Sequence, residues 1–437
     1  MRAILPLALL MVAAPALAQE AGGRSEPHRQ VAEEAPSHEE ALLFVEKRKR
    51  LYDRGIDLHL EYTTESSLGL SGVKGARYTG QLEFGVKLDL EKLADVRGGT
   101  FNLVLNNREG QDLSTDKIGN FFRVQEVYGA NKDLRLVYLT YEQEFANGRA
   151  SLLVGRTNLG QEFAHSDLFC QFQSNGICGR PLSLPENGGF STYPLSAWGA
   201  RLKIKPFEGD SYIQTGAFEV NPHLAERNGF QFSFKHDTGV AIPIEAGLVV
   251  GAESRGTLGT YKIGGYYDTS DSDDLLEDEN GTPYVLTGDA PRRHHGRATF
   301  YAMADQTVAH FGGDPGRPLR LLAGVTYAPP DRSLLTHEWY AGVLAKGLID
   351  ARPSDVAGLI MVSGKVSPHL AQRQRLEQSL GGTIPVQQTE TAIELNYDIA
   401  VAKWLHITPG AQWIVHPAAD PIRHDVTVID LKAVLRL

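Results

Sequence analysis

The sequence predicts an all-β protein: a 16-stranded antiparallel transmembrane β-barrel that follows a short N-terminal helix. Three observations support this fold class. The chain begins with an export signal and then contains no apolar run of the roughly 18 residues that a membrane helix needs. Its body consists of segments in which apolar and polar residues alternate. Short and long connections between these segments alternate along the chain, as in barrels built from hairpins.

The composition is that of a folded chain rich in strands. Of its 437 residues 42% are hydrophobic and 22% are charged, and it contains 45 Gly, 17 Phe and 16 Tyr but only 2 Cys. This apolar content excludes a disordered protein, and the Gly and aromatic residues favour turns and strands. The formal net charge of -10 at pH 7 argues against nucleic-acid binding.

The N-terminal segment is predicted to direct export. Residues 1–18 combine Arg2, an apolar run and a closing Ala16-Leu17-Ala18, which is the layout of a cleaved signal peptide. The mature chain is then expected to begin at Gln19. Residues 19–37 contain Gly, Pro and Glu with almost no large apolar side chains, so we expect a flexible leader there.

A single helix is predicted before the barrel. Residues 37–40 (SHEE) spell a capping box, and Gly55 can end a helix in the left-handed conformation. These signals predict a periplasmic helix over residues 38–54, with the barrel occupying residues 55–437.

The body of the chain has the two-residue period of strands. The segment 81–90 (QLEFGVKLDL) places Leu82, Phe84 and Val86 on one face, with charged or amide side chains on the other. The segment 427–437 (TVIDLKAVLRL) repeats this pattern at the end of the chain. Polar faces of this kind seldom border a dry core, so we expect lipid on one side and an aqueous lumen on the other.

The connections sort into two kinds. Short turns are predicted near residues 91–98, 146–148, 207–209, 252–259, 312–318, 352–355 and 403, and long loops near 107–134, 157–196, 221–240, 268–296 and 366–389. The segment 230–234 (FQFSF) alternates like a strand, but counting it would give an odd total, so we assign it to an outer loop. Sixteen strands with both ends of the barrel chain in the periplasm can close without a free edge.

The two cysteines are predicted to form a disulfide. Export places Cys170 and Cys178 in an oxidising compartment, where a disulfide persists. No metal site is predicted, because His294 and His295 have no third ligand at metal-site spacing. The acidic segment 268–281 does not match an EF-hand and is expected to be a solvated loop.

No catalytic residues are predicted, so the chain is expected not to be an enzyme. His165, Ser166 and Asp167 are adjacent in sequence, and neighbours in a row do not form a catalytic relay without special folding.

Six segments, in order along the chain, carry a resemblance to a known family. They are residues 88–103, 155–181, 259–268, 304–308, 347–355 and 392–417, and they include both cysteines. Together they resemble the OprB-type carbohydrate-selective porin family, from about residue 50 to the end of the chain. The resemblance implies a sixteen-stranded barrel in the outer membrane of a Gram-negative bacterium, through which glucose and other small sugars diffuse. It also implies that no cofactor is needed.

A sugar-selective pore needs hydrogen-bonding side chains beside aromatic surface, because sugars carry hydroxyl groups on rings with apolar faces. Strand parity predicts these pore-lining residues: Glu83, Asn102, Asn106, Arg108, Arg156, Arg201, Asp305 and Glu394. We favour Glu83, Asn106, Arg108 and Arg156, since their strands flank the long loop with the two cysteines, which is expected to fold inward.

Two alternatives stay open: a non-selective porin with a wide polar lumen, and an outer-membrane barrel with a structural or partner-binding role. The expected partners are small sugars as permeating solutes and outer-membrane lipid, with no nucleic acid. The barrel is compatible with a monomer and with a homotrimer.

Overall fold

The computed structural model describes residues 38–130, 132–207 and 209–436. Within them, sixteen strands form one closed antiparallel barrel, in which each strand pairs with the next and β1 pairs with β16. The predicted fold class is therefore confirmed. The predicted signal peptide and leader, residues 1–37, lie outside the described residues. Among the helices of the described chain, none is long and apolar enough to cross a membrane.

The sixteen strands follow the chain in order around the barrel. They are β1 Ile56–Ser71, β2 Gly75–Asp89, β3 Gly99–Gly110, β4 Arg135–Phe145, β5 Ala150–Thr157, β6 Ala197–Ile204, β7 Tyr212–Val220, β8 Gly239–Val250, β9 Gly259–Asp278, β10 Pro291–His310, β11 Pro318–Tyr327, β12 Leu335–Lys346, β13 Val356–Val366, β14 Thr389–Ala402, β15 Leu405–Val415 and β16 Val426–Arg436.

The helices of the described residues are few and mostly short. They are α1 His38–Asp53, α2 Leu90–Ala94, α3 Leu159–Glu162, α4 Ser183–Glu186, α5 Tyr284–Thr287 and α6 Pro368–Ser379. Single turns of other helical types occur at Ser114–Ile118, Phe169–Gln171, Glu253–Arg255, Phe311–Gly313 and Pro417–Ala419.

Helix α1 confirms the helix predicted before the barrel. Its residues up to Lys47 group apart from the unit that begins at Arg48 and contains the barrel. The chain leaves the helix through Gly55, which has a φ of +93°. A Cβ atom at this position would lie 2.9 Å from the Cβ of Lys92, so both the backbone angle and the space favour glycine.

The two ends of the barrel differ as predicted. All seven predicted short turns connect strands at one end, which we call the turn end, and the long connections lie at the opposite loop end. The segment 230–234 belongs to the connection between β7 and β8, which confirms its assignment to a loop.

The predicted long loop over residues 268–296 is wrong. Strand β9 continues to Asp278 and β10 begins at Pro291, so most of the acidic segment is strand. Its acidic side chains stand opposite basic ones, with Asp273 paired to Arg293 and Asp271 to His295. Opposite charges across an antiparallel pair stabilise this hairpin beyond the barrel wall.

The outer face of the barrel is apolar. Large side chains such as Leu82, Phe84, Ile263 and Phe300 are exposed there, although each has an apolar surface that water would disfavour. The residues between them point inward and are polar, which is the alternation expected for a wall between lipid and an aqueous interior.

The connection between β5 and β6, residues 158–196, folds into the barrel, and we call it the disulfide loop. Its aromatic side chains pack on the inner faces of the wall strands from β7 to β14. Three ring pairs join loop and wall: Phe163 with Phe218 at 5.9 Å, Phe169 with Tyr340 at 5.4 Å, and Phe190 with Tyr266 at 5.3 Å between ring centroids.

Much of this side of the interior is therefore filled by packed apolar side chains, whereas the sequence predicts an aqueous lumen throughout. The difference has a physical reason. Each fully buried Phe or Leu stabilises the packed loop by roughly 1.5–3 kcal/mol, and the disulfide loop contributes several of them. Polar wall positions alone did not reveal that a loop would supply the apolar partners.

Candidate functional site

Buried glutamates on the barrel wall hold the inward-folded segments in place. Each of these side chains is at most 3% exposed and accepts hydrogen bonds from backbone N–H groups of a segment inside the barrel. We call them the wall carboxylates: Glu65, Glu245, Glu338, Glu390 and Glu394. A charged acceptor is stronger than a neutral one, so each wall carboxylate is an effective anchor for otherwise unpaired loop backbone.

Glu394 shows the arrangement in detail. Its two carboxylate oxygens accept the N–H groups of Gln173 and Ser174, each at 2.8 Å. The side-chain amide of Asn396 donates a further hydrogen bond of 2.8 Å to the same carboxylate and holds its orientation. Glu394 was predicted to line the pore, but both of its oxygens accept N–H groups of the disulfide loop, so its position is that of a loop anchor.

Arg156 also joins the barrel wall to the disulfide loop. Its guanidinium lies 3.2 Å from Glu219 and also donates to Ser196 at the end of the disulfide loop. The side chain is only 1% exposed. Its predicted place on the pore surface is therefore wrong for this conformation, because the loop and Glu219 cover it.

The predicted disulfide between Cys170 and Cys178 is confirmed, with a Cα–Cα distance of 4.4 Å. It closes a small ring in the middle of the disulfide loop. Both cysteines border the open space described next.

Open space remains on the side of the barrel formed by β16 and β1–β6. Three cavities follow each other from the loop end to the turn end, and we call them the mouth, central and inner cavities, of about 310, 230 and 250 Å³. Val127 borders both the mouth and the central cavity, and Gln161 borders both the central and the inner cavity. The cavities are thus adjacent, and we call the series the side passage.

Polar side chains of both charge signs line the side passage. Among them are Arg108, Asp112 and Tyr128 at the mouth, Gln81, Glu126, Arg180, Tyr193 and Lys432 in the central cavity, and Lys87, Asn102, Glu142 and Arg201 in the inner cavity. Cavities for drug-sized ligands measure roughly 300–1,000 Å³, so the central and inner cavities suit a smaller solute.

Tyr193 of the disulfide loop connects three of the predicted residues. Its hydroxyl donates to Glu83 at 2.6 Å and accepts from the Asn106 amide at 2.9 Å. The Arg108 guanidinium lies 5.5 Å from the centre of the Tyr193 ring and donates to Gln81 at 2.8 Å. Glu83, Asn106 and Arg108 are thus brought together around an aromatic ring that the sequence did not identify, and their role as pore-lining residues stays a prediction.

Arg201 organises the inner cavity. It donates to Glu142 at 2.8 Å and to Glu162 of the disulfide loop at 3.1 Å. Asn102 lines the same cavity from the neighbouring part of the wall. Asp305 lies elsewhere, beside Lys262 and Tyr340 on the filled side, so the structure does not bring it into the side passage.

The structure adds residues that sequence reasoning missed, chiefly Tyr193 and four wall carboxylates. One signal for Tyr193 was available, since an aromatic ring was expected beside the polar residues. The wall carboxylates Glu65, Glu245, Glu338 and Glu390 gave no such signal, because an anchoring carboxylate and a solvated one look alike in an alternating strand.

The adjacent His165, Ser166 and Asp167 do not form a relay. One ring nitrogen of His165 lies 3.0 Å from Asp167, and the other lies 3.2 Å from the carbonyl oxygen of Gly179. Both nitrogens are therefore engaged away from the Ser166 hydroxyl.

A closed sixteen-stranded barrel with an apolar outer face, an inward-folded loop and a polar passage beside it defines a porin-type channel. Comparison with known proteins agrees. The carbohydrate-selective porin family OprB matches residues 73–436. Porin B of Pseudomonas aeruginosa is 33% identical over 393 residues, which cover 85% of this chain and 85% of that protein. The chain therefore belongs to the carbohydrate-selective porin family OprB.

Solved structures support the same conclusion. The high-pH structure of Pseudomonas putida OprB aligns with a TM-score of 0.86 at 31% identity, covering 90% of this chain and 97% of that one. OmpF of Salmonella typhi, in a complex with daunomycin, aligns with a TM-score of 0.52 at 10% identity over 88% of this chain and 99% of that one, so it shares the fold alone. Fold and family indicate a sugar-selective channel, rather than an enzyme, in the outer membrane of a Gram-negative bacterium.

Proposed function

We propose that glucose and related small sugars diffuse passively through the side passage, and that Glu83, Asn106 and Arg108 with Tyr193 form its selective section. The observation that carries this proposal is the Tyr193 ring in the central cavity, with hydrogen-bonding groups at its edge. A sugar can place an apolar ring face on the aromatic ring while its hydroxyl groups exchange water for these partners. Contacts of this kind stay weak enough to allow exit.

Asn102 and Arg201 extend the same chemistry into the inner cavity. Arg201 presents a planar donor, and Glu142 accepts, so a hydroxyl group meets both kinds of partner there. In this proposal Arg156 and Glu394 act indirectly, by holding the disulfide loop that forms one wall of the passage. Asp305 has no part in it.

The placement in the membrane follows from the two ends of the barrel. In bacterial outer-membrane barrels the short turns face the periplasm, so we propose the periplasmic side for the turn end and, as in the sequence prediction, for helix α1. The exposed apolar side chains of the outer face support lipid as the surrounding partner.

The test compares sugar and ion flux through purified protein in liposomes. Arg108→Ala should change the ratio of glucose to ion permeability, because it removes a donor that lies beside the Tyr193 ring. Arg97→Ala, at an exposed position of the turn end, is the matched control. An Arg108→Ala protein with the control's glucose-to-ion ratio would remove Arg108 from the selective section. Equal permeability to glucose and a similarly sized neutral polyol in the native protein would favour the non-selective porin instead.

A further inference from the structure

Two histidines and two aspartates meet at the loop end, away from the side passage. His294 lies on β10, Asp274 on the extension of β9, Asp331 between β11 and β12, and His369 in the first turn of α6. The His294 Nε2 atom lies 2.8 Å from Asp274 Oδ2 and 3.6 Å from Asp331 Oδ2. His369 Nδ1 lies 3.9 Å from Asp274 Oδ1. We call these four residues the rim cluster.

The rim cluster has the ligand types and spacing of a metal site. Imidazole nitrogen and carboxylate oxygen bind zinc at about 2.0–2.2 Å, which places neighbouring ligands of a tetrahedral ion about 3.3 Å apart. The separations in the rim cluster lie on both sides of that value, and one ligand atom from each of Asp274, His294 and Asp331 lies within 4.8 Å of the others. Two carboxylates also balance the charge of a divalent ion.

Neighbouring groups hold the ligands ready. The Oδ1 atom of Asp274 accepts the N–H groups of Leu276 and Glu277, each at 2.8 Å, which turns Oδ2 toward His294. Arg332 donates to both oxygens of Asp331 at 3.1 and 2.6 Å and leaves each oxygen a further lone pair. Outer contacts of this kind orient ligands in known metal sites.

His369 provides an independent observation. Its Nδ1 atom is buried and has no hydrogen-bond partner among the described residues. A buried polar atom without a partner is costly, and a bound cation would satisfy it. Asp274 is 2% exposed, so the protein shields its carboxylate from bulk water.

We propose that the rim cluster binds one divalent transition-metal ion of the zinc type, with His294, His369, Asp274 and Asp331 as ligands. An imidazole nitrogen binds a metal ion through its lone pair, so the ring hydrogen of the bound His294 lies on Nδ1. The ion would tie the β9–β10 hairpin, the β11–β12 connection and α6 together. The prediction of no metal site considered sequence spacing only, and the fold supplies the ligands that spacing did not show.

The test uses the full-length protein folded in detergent and stripped of metal with a chelator. Zinc chloride is titrated calorimetrically, and bound zinc is then measured after gel filtration. We expect one zinc per chain, and calcium chloride at the same concentration should give no binding, because two imidazole ligands disfavour calcium.

Variants then locate the site. His294→Gln and His369→Gln should each weaken zinc binding at least about tenfold, as loss of one ligand does. His295→Gln is the matched control, since the neighbouring His295 side chain is 86% exposed and contacts Asp271 instead. Heat-modifiable mobility on gels and unchanged glucose flux would show that each variant is folded. Absence of stoichiometric zinc in the native protein, or equal affinity of the His294→Gln and His295→Gln proteins, would overturn the proposal.

Discussion

Replacing Glu394 with Gln should loosen the disulfide loop where it meets strand β14. The native carboxylate accepts the N–H groups of Gln173 and Ser174 through separate oxygens, both at 2.8 Å. In the amide one of these oxygens becomes an NH2 group, which then faces a backbone donor. One hydrogen bond to a charged acceptor is lost, and this costs about 2 kcal/mol.

The expected effect is an increase of about 30-fold in local opening of this part of the loop, since each 1.4 kcal/mol corresponds to about a factor of ten. Hydrogen exchange measured by mass spectrometry reports such opening directly. The peptide that contains Gln173 and Ser174 should exchange faster in the Glu394→Gln protein, whereas peptides from the barrel strands should not change.

Glu144→Gln is the control, because Glu144 is an exposed glutamate at the turn end of β4. Should the loop peptide exchange at the same rate in the Glu394→Gln, Glu144→Gln and native proteins, the wall carboxylates would not be the anchors described above.

Three other substitutions test separate parts of the structure. Tyr193→Phe keeps the ring but removes the hydroxyl that donates to Glu83. Block of the single-channel current by glucose should therefore weaken about fivefold, while the conductance without sugar stays the same. Unchanged block by glucose would contradict this prediction. Arg201→Met leaves two carboxylates without their cation, and reversal potentials should show cation preference rising about fivefold, with Arg97→Met as the unaffected control. Phe84→Arg places a charge on the outer face and should lower stability in urea by about 2–4 kcal/mol, and an unaltered transition would argue against lipid contact there.

The architecture of the barrel could be predicted from the sequence because it depends on local patterns. Alternation along each strand fixes which side chains face outward, and the positions of short turns fix the number of strands. The prediction failed where partners came from distant residues: the acidic segment of β9 forms strand because Arg293 stands opposite Asp273. No local pattern contains that pairing.

The candidate site could be predicted only in part, for the same reason. Strand parity placed Glu83, Asn106 and Arg108 on the inner face, and in the structure all three lie around Tyr193, which borders the central cavity. Parity does not say whether an inner position stays open or is covered by a loop, so Arg156 and Glu394 were assigned to the pore surface although both are buried.

The wall carboxylates have a consequence for the order in which the molecule assembles. These carboxylates lie on strands that are far apart in the chain, and most of their backbone donors belong to the connections that follow β3 and β5. Glu394, on the fourteenth strand, meets donors from a segment that precedes it by more than two hundred residues. The disulfide loop therefore completes its contacts with the wall only when strand β14 is in place.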